Sequence, residues 1–398
     1  MSWKKAVLAI AAGLAVTSVA AGGSYANRPA AGARAGGTTE LKIGFSAALS
    51  GAYAAYDAPL LNGMKFAAKE INAKGGLGGF TIKIVAKDNK GDQTQTATTT
   101  QELLDQGIKI FVITTGDTAV AGGQLAVQGG AIASVGGNTA PEIVKSVGKR
   151  GFMIVFGDNV QASAGAQYAC QTGYRKAYVI GSPEIPYTKF IPRYFEDAFK
   201  HDCAGKVTSK DTYKIGSTDY STQVTKIQNA KPKPDVIYTS MFVPDFGVFM
   251  KQLRSAGVKT PVVTVDGNDS TLLVDSAGSA VDGVVYTTSA YPVKNNLDAQ
   301  FVKAYKKQTG KNVESNTLEA IGRDNVYVIA AAAAKAKSAD PDKILAAVYK
   351  FKHYKLATGD LTMDPVGQVP VKEVFLVKMK GKKFTFLTSF TPKYIAKA

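Results

Sequence analysis

Three stretches of small and hydroxyl-bearing residues stand where apolar runs end: "GFSAALSG" from Gly44, "TTGDTAVAGG" from Thr114 and "GGNTAPE" from Gly136. Backbone amides and hydroxyls in such loops, set ahead of helices, hold carboxylates, phosphates and zwitterions without making or breaking a bond. Reactive groups are scarce. The two histidines, His201 and His353, fall in different predicted helices among lysines, with no cysteine, carboxylate or second histidine at metal-ligand spacing. No Gly-x-Ser-x-Gly elbow, Walker loop or Cys/His nucleophile pair occurs. "GGLGGF" at Gly75–Phe80 is glycine-rich, but it follows a helix and precedes a strand, the reverse of a dinucleotide loop. It reads as a helix stop. Ligand capture without catalysis, with no cofactor and no metal, is the chemistry these residues support.

Such loops need strands to end on and helices to begin. From Leu41 onward apolar runs of strand length recur: "LKIGF", "TIKIVAKD", "IKIFVIT", "AIASVG", "FMIVF", "KAYVIGS", "DVIYTS", "PVVTVDG" and "GVVYTTSAY". Helical periods lie between them. In the first, Leu60, Met64, Ala67 and Ile71 share one face. Others occupy Gln93–Gln106, Val160–Thr172, Tyr187–His201, Tyr220–Ala230 and Pro244–Ala256. This alternation predicts βαβ units and parallel sheets covered on both faces, an α/β fold. The end of the chain departs from it, with helices near Leu297–Thr309, Leu318–Lys337 and Pro341–Phe351. Short strands follow around Asp360–Met363, Glu373–Met379 and Lys383–Leu387, the last two joined at Gly381. Nine central strands in 398 residues divide more naturally between two lobes than within one sheet.

The N-terminus indicates where the protein works. "MSWKK", an apolar run from Ala6 to Gly23, and "SYA" at Ser24–Ala26 have the order of a secretory signal peptide over residues 1–26; the alternative is a membrane anchor. "NRPAAGARAGGT" begins a linker over 27–40 with nothing to bury. In an exported protein the even count of two cysteines, Cys170 and Cys203, suggests one disulfide; otherwise they are two buried thiols. The net charge of +17 is spread over scattered lysines, with no arginine cluster interleaved with aromatics. It reads as a solvated basic surface, not a nucleic-acid interface.

"SGAYAAYDAPLLNGMKFAAKEINAKGGLGG", "TAPE" and "VDGNDS", in that order and spacing, resemble the branched-chain amino-acid group of periplasmic solute-binding proteins, the receptors of ATP-driven importers. The resemblance runs from about Leu41 to the C-terminus. It implies the type I periplasmic binding protein fold, two Rossmann-like lobes joined by a three-strand hinge, with a ligand trapped between them. Crossovers then fall near Gly157, Ala290 and Ala357, so that 41–157 and 290–357 form the N-terminal lobe and 158–289 and 358–398 the C-terminal lobe. It further implies a monomeric periplasmic receptor that hands an amino acid or short carboxylate to an ABC permease in the inner membrane. The alternatives are an amide or aromatic-acid receptor, a sensor docking on a membrane signalling receptor, or a secreted enzyme.

The family's ligand contacts carry over residue by residue. Tyr56 would wall the pocket from the first loop. The serine that binds the ligand carboxylate is replaced at Gly116–Asp117, leaving Thr118 as the nearest hydroxyl. Thr139 and the Gly137 amide would hold the carboxylate, while Tyr187 and Phe242 supply aromatic contacts from the second lobe. Asp266 matches the acid that pairs with a ligand ammonium. Each has a plainer reading: Tyr56 packing on its own helix, Phe242 as core, Asp266 as a helix N-cap before "STLL". Asp117 beside a ligand carboxylate would repel it, so it points away, caps the next helix, or faces a ligand turned differently.

Overall fold

The computed structural model describes residues 37–398 apart from Ala52, Thr114, Thr115, Asp117, residues 365–367 and Lys382. The expected signal peptide, most of the linker and Asp117 therefore lie outside the described residues. Strand β1 (Thr39–Ala47) starts inside the stretch expected as linker. It pairs in parallel with β2 (Phe80–Asp88) on one side and β3 (Ile110–Val112) on the other, followed by β4 (Ile132–Ser134) and β5 (Gly151–Phe152). The order 2-1-3-4-5 reverses direction at β1/β3, where the loops leaving neighbouring strands part and open a crevice.

A second sheet repeats that order with β6 (Lys176–Gly181), β7 (Lys206–Thr212), β8 (Val236–Thr239), β9 (Val262–Thr264) and β10 (Val285–Thr288), arranged β7-β6-β8-β9-β10. A short hairpin, β11 (Tyr354–Leu356) and β12 (Gly359–Leu361), comes next. Two antiparallel strands, β13 (Val374–Lys380) and β14 (Lys383–Phe390), then extend the second sheet beyond β10. The strand β7 was not expected. Its sequence, "KVTSKDT", lies at the sheet edge and is only partly buried, so it carries no apolar run to betray it. "FMIVF" behaves differently again. Only Gly151–Phe152 pairs as strand, while Met153–Phe156, fully buried, runs on between the sheets.

Four helices serve the first sheet: α1 (Ala54–Ala73), α2 (Gln93–Asp105), α3 (Ala119–Gln128) and α4 (Pro141–Val147). The second has α5 (Asp158–Gln171), α6 (Pro186–Cys203), α7 (Ser221–Asn229), α8 (Asp245–Ser255) and α9 (Thr271–Ala277). Then follow α10 (Leu297–Thr309), α11 (Asn316–Ala336) and α12 (Pro341–Val348). "TTGDTAVAGG" reads as loop in sequence, yet from Ala119 it is helix. Packing leaves no room for larger residues at its final two glycines, since a Cβ at Gly123 would sit 2.6 Å from both Ile113 and Val147, and one at Gly122 2.9 Å from the Thr96 methyl. His353 is in a turn after α12, not a helix, with φ 51°. A disulfide joins Cys170 in α5 to Cys203 at the end of α6, Cα to Cα 5.7 Å.

Two cores result. One unites the first sheet with Ile321, Val326, Ile329, Ile344 and Leu361, from segments that follow most of the second sheet in sequence. The other lies beneath the second sheet. What brings the late segment home is the crossing of α1 with α11. Leu60, Met64, Ala67 and Ile71 are all buried as their spacing predicts. At the crossing two glycines let the backbones meet: a Cβ on Gly63 would lie 2.0 Å from the Glu319 carbonyl oxygen, and one on Gly322 2.0 Å from that of Leu60. Alanine at either position gains about 1 kcal/mol of helix propensity. It must also push rigid backbone aside, where overpacking costs about 1–3 kcal/mol or more. Gly63→Ala and Gly322→Ala are therefore each expected to lower the melting temperature, by about 1–2 °C per kcal/mol lost in a chain of this length. An unchanged or raised melting temperature in calorimetry would mean that the helices can part without cost.

Candidate ligand-binding site

In both sheets the loops at the C-terminal ends of the parallel strands point toward the same cleft. From the first sheet come Tyr56 after β1, Gly116 after β3, and Gly137 and Thr139 after β4; from the second come Tyr187 after β6, Phe242 after β8 and Asp266 after β9. Six of the eight residues singled out in sequence thus line one cleft: Tyr56, Gly137, Thr139, Tyr187, Phe242 and Asp266. Asp117 lies outside the described residues. Thr118, buried at the start of α3, is not part of the lining, and its hydroxyl has no hydrogen-bond partner.

Three aromatic rings form one continuous surface. Phe242 makes edge contacts with Tyr56 on one side, centroids 5.9 Å apart, and with Tyr187 on the other at 6.1 Å. Tyr56 is not packed on its own helix. It reaches across to the second sheet, where its hydroxyl donates to the Val243 carbonyl at 2.7 Å. A second bridge between the sheets is Asp269, whose Oδ2 accepts the Thr317 backbone N–H at the start of α11, 3.1 Å, and the Thr288 hydroxyl, 3.0 Å. Burial pushes the Asp269 carboxyl up to about 6, against those donors.

Asp266 opens a short 3-10 turn, and the cap of α9 is Ser270, whose hydroxyl accepts from Leu272 N–H. The N-cap alternative therefore falls on the wrong residue. The Asp266 Oδ1 accepts the Tyr187 hydroxyl at 2.7 Å and the Gln161 amide at 3.0 Å, and Gly267 N–H donates to Tyr187 Oη at 3.0 Å. Burial raises the Asp266 carboxyl above its ordinary range, and these donors offset part of the rise. Among the described residues that line the cleft there are two carboxyl groups and no lysine, arginine or histidine. An anion alone would find no counter-ion here; a group carrying positive charge would find two.

Asp269 and Thr317 escaped sequence reading. Asp269 sits within the "VDGNDS" motif, so a second acid three residues after the first was the available signal. Thr317 had none, because it reaches the cleft only through the fold of α11 onto α1.

A model of periplasmic binding proteins matches residues 40–383. The chain belongs to the periplasmic binding protein family. Among curated relatives, the Leu/Ile/Val-binding protein homolog 1 of Brucella abortus is 25% identical over 330 residues, 82% of this chain and 87% of that protein. A leucine-binding protein from Thermotoga maritima superposes with a TM-score of 0.80 at 23% identity, covering 88% of this chain and 99% of that one. A solute-binding protein of an ABC transporter from R. palustris, in complex with benzoate, superposes with a TM-score of 0.76 at 20% identity, covering 90% and 99%. These likenesses establish the two-lobed, parallel-sheet architecture of type I binding proteins for this family member.

The geometry ranks the two tyrosines. Tyr187→Phe removes a hydrogen bond to a carboxyl group and strands Gly267 N–H, a loss of about 1.5–3 kcal/mol. Tyr56→Phe removes one neutral bond, about 0.5–1.5 kcal/mol. Thermal melts of the ligand-free protein should show the larger drop for Tyr187→Phe. The reverse order would make the bridge between the sheets the stronger constraint.

Proposed function

We propose that this periplasmic binding protein is the receptor of an ABC importer and captures a small amino acid with an apolar side chain. The observation that supports this most directly is an aromatic and aliphatic cleft with two buried carboxyl groups and no basic side chain among its described lining residues. An α-amino acid suits it. Its ammonium meets Asp266, its carboxylate meets the Gly137–Thr139 loop, and its side chain meets Tyr56, Tyr187 and Phe242. The lobes are divided near Gly157, near Ala290 and, in place of the expected Ala357, between Met363 and Val374, a shift supported by the burial of Leu361 and Met363 in the core of the first sheet. They close about the hinge, and ligand contacts to both shift the equilibrium to the closed form. Tyr56 to Val243 and Asp269 to Thr317 are the closed-state contacts. Export through cleavage near Ala26 delivers a monomer to the periplasm, where it meets its permease.

An aromatic acid is the second reading, favoured by the three contiguous rings and by the benzoate held in the R. palustris neighbour. The two readings differ at Asp266. A thermal-shift screen of amino acids, amides and aromatic acids should raise the melting temperature with one class, since ligand at 100 times its Kd adds about 2.7 kcal/mol. No shift from any class would refute the receptor reading. For an amino acid, Asp266→Asn should cost about 2–5 kcal/mol, roughly 30- to 5000-fold in Kd by titration calorimetry. Thr139→Ala should cost only about 0.5–1.5 kcal/mol. Undiminished binding by Asp266→Asn would select the aromatic acid or amide instead. Mass spectrometry of exported protein should find its N-terminus close to Asn27; a retained Met1 would argue for an anchor.

A further inference from the structure

Behind Asp266 lies a carboxyl group that does not line the cleft. Asp158, the first residue of α5, is fully buried. Gln161, one turn on, links it to the cleft: its Nε2 donates to Asp158 Oδ1 at 2.9 Å and to Asp266 Oδ1 at 3.0 Å. Its Oε1 accepts the Thr287 hydroxyl at 2.9 Å and the Asp266 backbone N–H at 3.3 Å. The amide has only this orientation. Turned over, it would set NH₂ against a backbone N–H that can only donate, and its oxygen against two carboxyl oxygens. Asp158 Oδ2 accepts no well-directed hydrogen bond, although the Thr139 hydroxyl lies beside it and favours the charged form.

The ionisable groups facing this pair from the surrounding elements are Glu142 on α4, Tyr56 on α1, Tyr187 on α6 and Tyr238 on β8. None is a cation. Burial first, and then the charge of Asp266, drives the Asp158 carboxyl well above its ordinary range. Two like charges enclosed together do not both ionise near neutral pH, and the proton they keep belongs to the pair, not to one residue. A cation placed at Asp266 would remove the reason for keeping it.

We infer that Asp158 and Asp266, bridged by Gln161, share one proton in the ligand-free protein and release it when a ligand ammonium docks on Asp266. Asp158 and Gln161 are positioning residues here; only Asp266 meets the ligand. The release of the proton rests on the amino-acid reading, whereas its retention without ligand does not. Because binding expels a proton, lowering the proton concentration favours the complex. Affinity tightens as pH rises toward the range where the free pair loses its proton, by at most about tenfold per pH unit, and weakens in acid.

Carbon-13 NMR of aspartate carboxyl carbons in the ligand-free full chain reads retention directly, with signals assigned by their loss in Asp158→Asn and Asp266→Asn. The expected result is two coupled signals that still hold one proton at pH 6 and that both move in Gln161→Leu. Calorimetry with L-leucine at pH 6, in phosphate and in bis-Tris, then counts protons: close to one released per ligand for the parent and close to none for Asp158→Asn. Two fully ionised signals at pH 6 overturn the inference whatever binds. Signals unmoved by Gln161→Leu overturn the role of the bridge, and leucine binding without proton release overturns the coupling. A retained proton with no heat from L-leucine or any other amino acid keeps the pair and overturns the amino-acid reading, and the release with it.

Discussion

The crossing of α1 over α11 at Gly63 and Gly322 is the contact on which the rest of the molecule depends. It joins a helix near the start of the described chain to one that follows five strands of another sheet, and it does so at backbone-to-backbone distance. Bringing such remote segments together costs chain entropy that only a large buried surface can offset. Both helices are buried along most of their contact faces. Once they meet, the chain must cross between the sheets after β5, after β10 and before β13. The N-termini of both helices then project into the cleft, carrying Tyr56 on one and Thr317, Leu318 and Ile321 on the other. The hinge and the wall of the site are thus consequences of one packing interaction.

The crossovers are themselves pinned. Lys372, fully buried, donates to the Ile154 carbonyl at 3.0 Å and the Thr358 hydroxyl at 2.7 Å, tying the first crossover to the third. Burial brings its ammonium down to about 8, while the Asp324 carboxyl nearby favours the charged form. Met153 N–H also donates to the Gln368 carbonyl at 3.1 Å. Segments that would otherwise be loops are held as narrow, hydrogen-bonded connections, and bending about such a group of strands keeps the two lobes intact.

In and directly behind the cleft the dominant quantity is desolvation. Asp158, Asp266 and Asp269 all have carboxyl groups raised by burial, and each is partly offset by donors that the fold supplies. Donors reduce the cost of enclosing an acid without neutralising it. The remaining cost is one that a positive charge placed beside these carboxyl groups would lower, a term to which the aromatic rings, tolerant of many apolar shapes, do not contribute.

Much of this was legible in the order of residues. Period-two and period-3.6 patterns are local, so the long strands, the apolar stripe of α1 and the α/β class followed from spacing alone, and "TAPE" and "VDGNDS" located residues of both halves of the cleft. Elements whose reasons are not local escaped. The strand β7 is polar because it lies at an edge, α3 is glycine-rich because Ile113 and Val147 press on it, and "FMIVF" is apolar because it crosses between lobes. The lone pair of cysteines suggested a bridge, but only the packing of α5 on α6 set the sulfurs side by side. The sequence by itself determined which loops follow the strands and so which of them could line a cleft. That Tyr56 reaches across to Val243, that Asp269 takes the Thr317 amide at the start of α11, and that Gln161 joins Asp158 to Asp266 were decided by tertiary structure. Each of these contacts joins residues on different elements, and no spacing along a chain encodes which of its ends will be folded together.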